Sequence, residues 1–235
     1  MKNRVSIVLL IAVLATIIVG LLTRVANAAE EKVRKNIAGT VEVEIDIACE
    51  VLLLQGNESY IELQGDKQLL SQVIIKHRDG KVRVYSEKER WSSRDEVVIV
   101  VMLPDLKELE IGGAMNLKAP KPLTYSHLNL EVGGVGNIDM QLNTEVLNIE
   151  AGGVLNLELR GNTNKFNLDL GGTFKIDADS FIAKTGRVSL SGVGKANVHF
   201  SDNLDANISG VGKLEYSGNA VVNGRVSGLG KITKN

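Results

Sequence analysis

Residues Val41-Glu42-Val43-Glu44-Ile45-Asp46-Ile47 alternate apolar and acidic side chains with a period of two, the pattern of a strand with one face in a core and the other in water. Shorter runs of the same kind follow at Val51–Leu54, Tyr60–Leu63, Val73–Ile75, Val82–Tyr85 and Val97–Leu103. Gly56-Asn57, Gly65-Asp66 and Asp79-Gly80 separate them as turns. Asp66–Ser71 reads as one short helical turn, and Glu87–Glu96 as a charged loop carrying the only tryptophan, Trp91. Pro104, Pro120 and Pro122 mark a junction beyond which the chain changes character.

Past that junction the pattern becomes periodic. Seven segments align: Ile111-Gly112-Gly113, Val132-Gly133-Gly134, Ala151-Gly152-Gly153, Leu170-Gly171-Gly172, Leu190-Ser191-Gly192, Ile208-Ser209-Gly210 and Val226-Ser227-Gly228. Their second glycines are 18–21 residues apart, a period that signals a solenoid. Period-two alternation flanks each pair, as in Leu130-Glu131-Val132 before it and Ile138-Asp139-Met140 after it. Short strands follow, not helices. A leucine-rich repeat has a similar length, but its asparagine consensus and helical half are missing. The expected fold is therefore all-β: a parallel β-helix of about seven regular coils of 18–21 residues. Residues 105–235 form the coils, and residues 29–104 form an irregular β region that continues the sheets and caps them, within one domain spanning 29–235.

Within each coil, Leu117, Ile138, Leu157, Ile176, Ala196, Leu214 and Ile232 form one inward column. No single repeat can bury such a column, so stability comes from stacking. The first glycine of the pair becomes Ser in the last three repeats. The second is constant as Gly113, Gly134, Gly153, Gly172, Gly192, Gly210 and Gly228. These second glycines are expected to hold a positive φ or to face a gap too narrow for a Cβ. Lys231 and Lys234 would guard the last strand edge against aggregation.

Residues 1–28 are of a different kind. Lys2 and Arg4 precede an uncharged run from Val5 to Leu22, and Ala26-Asn27-Ala28 follows. This reads as a secretory signal peptide cut after Ala28, with an uncleaved membrane anchor as the alternative. Removing Lys2, Arg4 and Arg24 leaves 24 basic and 28 acidic residues, a net charge of −4. Such a balance argues against nucleic acid as a partner. The lone cysteine, Cys49, can form no internal disulfide and is expected to be a small buried residue. His77, His127 and His199 are too dispersed for a local metal motif, and no metal or other cofactor is expected.

The Gly-Gly-x-Gly-Asn and Ser-Gly-x-Gly-Lys repeats resemble the bacterial head GIN domain family of auto-transporter adhesins. Gln55-Gly56-Asn57, the Gly80-Lys81-Val82 hairpin and Leu103-Pro104-Asp105-Leu106 are similar as well. The resemblance runs over about residues 37–230. It implies an exported, all-β, β-helical protein of the periplasm or cell surface.

Chemistry is sparse. No nucleophile elbow or phosphate loop is present. Asp177 with Asp179, and Asp202 with Asp205, are the acid pairs that a polysaccharide-cleaving β-helix would use. They read more simply as solvated surface. The residues three past each second glycine run Asn116, Asn137, Asn156, Lys175, Lys195, Lys213, Lys231. The asparagines can bond along the column. The four lysines are the candidate site for an anionic polymer, although the acidic column two residues on (Asp139, Glu158, Asp177, Glu215) suits a salt-bridged, solvated surface. The expected function is a non-enzymatic, exported binding or structural module of the cell envelope, adhesin-like toward glycan or surface. A polysaccharide-active enzyme and a membrane-tethered, self-assembling protein are the alternatives. Expected partners are envelope glycan or further copies of the chain, with membrane contact only through an uncleaved N-terminus.

Overall fold

The structure, a computed structural model, describes residues 30–87 and 97–235. The expected cleavage site after Ala28, the apolar run and Trp91 lie outside the described residues. Residues Glu31–Asn235 form one compact unit, and every core residue comes from within it.

Seventeen strands and one helical turn make up the described residues. The strands up to the proline junction are β1 (Glu30–Asn36), β2 (Glu42–Ile45), β3 (Cys49–Gln55), β4 (Tyr60–Asp66), β5 (Val73–Arg78), β6 (Lys81–Ser86) and β7 (Val98–Leu103). The short helix α1 (Lys67–Leu70) is capped by Asp66, whose carboxylate accepts from the Gln68 and Leu69 N–H groups. Then come β8 (Glu108–Ile111), β9 (Ala114–Lys118), β10 (Leu123–Val132), β11 (Val135–Ala151), β12 (Val154–Leu170), β13 (Thr173–Leu190), β14 (Val193–Ile208), β15 (Val211–Ser217), β16 (Val221–Val226) and β17 (Leu229–Lys234). No helix among the described residues is long and apolar enough to cross a membrane.

The chain winds as a parallel β-solenoid. Ile138 lies beside Leu117 and Leu157, Leu157 beside Ile176, Ile176 beside Ala196, Ala196 beside Leu214, and Leu214 beside Ile232. This inward column is buried from Leu117 through Leu214. In β11 the burial alternation slips phase between Thr144 and Leu147, where the coil turns a corner opposite the glycine turn. Phe166, Phe181 and Phe200 fill the interior beyond that corner. Phe166 sits edge-on to Phe181 at 5.3 Å and stacks over Phe200 at 6.1 Å.

The described strands before residue 104 continue the sheets as well as cap the stack, as expected. β2 pairs parallel with both β6 and β8, and β3 pairs parallel with both β7 and β9. Segment 42–55 and the strands β6 and β7 are thus two further layers, and they enter the stack out of chain order. The 42–55 layer lies between the β6–β7 layer and the first glycine-turned coil. Beyond β6 and β7 the pairing becomes antiparallel, β4 on β7 and β5 on β6. These hairpin strands cover a parallel edge that would otherwise template association. The Asp79-Gly80 turn joining β5 to β6 has positive φ at both residues, as a tight primed hairpin turn requires.

The second glycines owe their place to a close approach. None of the seven has a positive φ. A Cβ built on Gly134, Gly153, Gly172, Gly192, Gly210 or Gly228 would lie 1.8–2.2 Å from the carbonyl oxygen of the equivalent glycine one coil earlier. At Gly113 the Ile47 oxygen would be 2.5 Å away. Past the first pair the first position is open: a Cβ on Gly152 meets nothing within 4 Å, and those on Gly133 and Gly171 meet nothing nearer than 3.7 Å, whereas one on Gly112 would meet Asp46 Oδ1 at 2.1 Å. Ser191, Ser209 and Ser227 are therefore accommodated there.

Candidate binding surfaces

Because coils stack in register, every outward position becomes a column along the solenoid. The strand after each glycine pair carries three. Its first column is Ala114, Val135, Val154, Thr173, Val193, Val211, Leu229, and its second is the expected asparagine–lysine column. In that second column Asn137 Nδ2 donates to Asn116 Oδ1 at 2.9 Å, and Asn156 Nδ2 to Asn137 Oδ1 at 2.7 Å. Lys195 and Lys213 both pair with Glu215, and their hydrogen bonds hold its carboxyl below the usual range. Lys175 and Lys231 form no ion pair among the described residues. In the third column Arg160 bridges Asp139 and Glu158. The alternating lysine and acid columns thus form a salt-bridged, solvated surface over part of their length.

The strand before each glycine pair carries two columns, which the sequence reading did not single out. One is Glu108, Asn129, Asn148, Asn167, Arg187, Asp205, Asn223, and the other is Glu110, Glu131, Glu150, Asp169, Ser189, Asn207, Arg225. Asn148 Nδ2 donates to Asn129 Oδ1, and Asn167 Nδ2 to Asn148 Oδ1, each at 2.8 Å. A groove of about 770 Å³ runs along these columns, with Lys165 and Arg187 among its lining residues. The signal was present in the sequence, since Asn129, Asn148 and Asn167 each stand four residues before the first glycine of a pair.

Nearer the solenoid start, Glu44 is buried and holds Lys81 Nζ at 2.9 Å and Arg83 Nε at 2.8 Å. Arg83 also reaches Asp46 at 2.7 Å. Gln55 ties two coils together, its amide nitrogen donating to the Thr124 carbonyl at 2.6 Å while its oxygen accepts from the Thr124 N–H at 2.8 Å. Cys49 is buried, and burial pushes its thiol up to about 12.

The acid pairs have other partners. Asp179 accepts from Ser217 Oγ at 2.6 Å, Asp202 accepts from Ser201 Oγ at 2.6 Å, and Asp205 accepts from Asn223 Nδ2 at 3.3 Å. Asp177 sits in the acid column between Glu158 and Asn197. His199 Nδ1 lies 2.9 Å from Ser217 Oγ. This places serine between aspartate and histidine, whereas a nucleophilic triad needs histidine in the middle. Among the described residues no group of three or more His, Cys, Asp or Glu side chains could hold a metal ion.

A parallel β-solenoid whose coils repeat the same exposed side chains, layer upon layer, defines a class of protein that presents long regular surfaces. The chain belongs to the family described as "Putative auto-transporter adhesin, head GIN domain", whose model matches residues 40–220. A crystal structure of a "putative adhesin" from Bacteroides fragilis is similar with a TM-score of 0.81 at 20% identity, covering 89% of this chain and 98% of that one. A "putative adhesin" from Parabacteroides merdae has a TM-score of 0.63 at 22% identity, with the same coverage of both chains. A "putative lipid binding protein" from Parabacteroides distasonis has a TM-score of 0.66 at 18% identity, again covering 89% and 98%. At these identities the likeness shows the fold. No curated protein matches the sequence.

Proposed function

We propose that the chain is a non-enzymatic, extracytoplasmic adhesin module of the bacterial cell envelope that contacts glycan through the groove before the glycine turns. The observation that carries this reading is the stacking of Asn129, Asn148 and Asn167 beside Glu131, Glu150 and Asp169 along one groove. In the ladder Asn148 spends one N–H and one lone pair on its neighbours, Asn129 one lone pair and Asn167 one N–H, and the remaining donors and acceptors are kept for a ligand. Carboxylates beside them accept from hydroxyls, and Arg187 donates. The same amide–carboxylate set recurs at the ~4.8 Å strand spacing, which suits a polymer with a repeating polar unit. The family and the signal-like residues 1–28 support an extracytoplasmic location. Most residues lining the groove are polar or charged, which suits a glycan better than a lipid tail.

The test is binding of purified residues 29–235 to glycan arrays and to envelope fractions, run beside reducing-sugar release. The double variant Asn167→Ala/Arg187→Ala should lose at least tenfold in affinity for any glycan bound by the parent. Equal binding by parent and variant removes the groove from the function. Sugar release above background restores the enzyme reading.

A further inference from the structure

The first outward column after the glycine turns is apolar. Val135, Val154, Val193, Val211 and Leu229 stand beside one another on consecutive coils, broken only by Thr173. They are exposed, at 41%, 38%, 55%, 50% and 81%. Single exposed apolar residues are ordinary on a protein surface, whereas a contiguous patch marks an interaction site. This one is a ridge along the outer edge of the solenoid, and its exposure is greatest over the last three coils. Val226 at 43% and Val221 at 73% extend the apolar surface of the final coil.

The flanks of the ridge change in the same region. On the side after the turn the neighbouring column passes from Asn116, Asn137 and Asn156 to Lys175, Lys195, Lys213 and Lys231. On the side before the turn Glu110, Glu131, Glu150 and Asp169 give way to Ser189, Asn207 and Arg225. The turn itself changes from Gly to Ser at Ser191, Ser209 and Ser227. Acids beside the lysines are Asp177 and Glu215, one column further from the ridge, and Glu215 is occupied by Lys195 and Lys213. Where the ridge is most exposed, its borders are therefore cationic or neutral.

We propose that the ridge of the last three coils, Val193, Val211 and Leu229, with Lys231 and Arg225 beside it and Lys175 one coil earlier, docks on the surface of an anionic lipid bilayer. Apolar side chains bordered by cations match the two layers of such a surface: the valines and the leucine enter the headgroup–acyl boundary while the cations meet lipid phosphates. From the sequence, membrane contact is expected only through residues 1–28, where they remain uncleaved. The ridge supplies a second contact, separate from the groove. A module that binds glycan on the strand before the turn and lipid on the edge after it would span from membrane to polymer. A second copy of the chain is the competing occupant. A two-fold lying in the contact plane and crossing the ridge, with ridge against ridge, sets lysines opposite asparagines and so supplies no opposing charge for them.

Residues 29–235 are the protein to test, since their core is self-contained and the apolar run at 5–22 is then excluded. Sedimentation with phosphatidylcholine vesicles is compared with vesicles that also contain phosphatidylglycerol. Parent protein should bind the anionic vesicles, bind the neutral ones weakly, and lose affinity as salt rises. Val193→Thr/Val211→Thr/Leu229→Thr should reduce binding at least tenfold. Thr173 already occupies this column, so the fold tolerates threonine there, and an unchanged melting curve verifies it. Lys175→Gln/Lys231→Gln should lose about fivefold per lysine at low salt. Val135→Thr/Val154→Thr, at the acidic end of the ridge, should stay within twofold of the parent. Failure of the parent to bind anionic vesicles overturns the proposal, as does equal loss in the last variant. A concentration-dependent dimer, abolished by the triple threonine variant in the absence of vesicle binding, would assign the ridge to a second copy instead. Glycan binding by the threonine variant should match the parent, which separates this test from that of the groove.

Discussion

Gly152 and Gly153 are adjacent, and alanine should act on them with opposite sign. At Gly153 the new Cβ would stand 1.9 Å from the Gly134 oxygen and 2.6 Å from the Gly133 oxygen. Both contacts are with backbone, so no side chain can swing away. Relief needs the two coils to part by more than an ångström at the turn. That movement breaks the bonds from the Val154 N–H to the Gly134 carbonyl at 2.9 Å and from the Gly153 N–H to the Val132 carbonyl at 3.3 Å. Two lost backbone bonds at ~1 kcal/mol each, with overpacking strain of about 1–3 kcal/mol, put the cost of Gly153→Ala near 3–5 kcal/mol. Gly152→Ala meets nothing within 4 Å and requires no positive φ. It should be neutral, or stabilise by about 0.4–1 kcal/mol through the unfolded chain. The same reasoning makes Gly172→Val and Gly192→Val far more damaging than Ser191→Val, which loses only the bond from Ser191 Oγ to the Leu170 carbonyl at 3.3 Å. Urea melts followed by circular dichroism measure all five variants at constant m-value. Equal midpoints for Gly152→Ala and Gly153→Ala would refute the close-approach explanation of the constant glycine.

Three further outcomes are expected. Phe166→Ala removes the ring that contacts both Phe181 and Phe200 and should cost about 3–5 kcal/mol in the same melts. Changing Lys175, Lys195 and Lys213 together to Gln should leave the midpoint at neutral pH nearly unchanged, because exposed ion pairs contribute little. The two lysine partners lower the Glu215 carboxyl. Its contribution is therefore present above the unfolded carboxylate range and is lost as pH falls through the folded value, an acid-side slope that should vanish in the triple variant. Cys49, held at about 12 by burial, should resist a thiol reagent at pH 8 in the native protein and react at once in urea. Rapid native labelling would mean that its layer opens readily.

The repeating half was legible because its information is local. Alternation of apolar and polar residues sets which side chains face inward. A glycine recurring at 18–21 residues sets the coil length. A constant offset from that glycine then stacks Leu117 through Ile232 into one column, and stacks Asn116, Asn137 and Asn156 where their amides meet. The parity that buries Ile138 also turns Val135 outward, so the ridge was implicit in the same alternation. Its continuity and its cationic borders emerge only once the columns stand side by side.

Tertiary structure decided what periodicity does not encode. Segment 42–55 lies between strands β6 and β7 on one side and β8 and β9 on the other because β2 and β3 find partners on both sides, and alternation within a strand does not specify which distant strand will pair with it. The constant glycine is explained by the carbonyl of the coil beneath it, an atom 18–21 residues away for most of the column, and not by its own dihedral angles. Likewise, the placing of Ser217 between Asp179 and His199 joins residues up to 38 positions apart. In each case the deciding contact runs between coils, and the chain's own sequence specifies the pattern within a coil more strongly than the order in which coils meet.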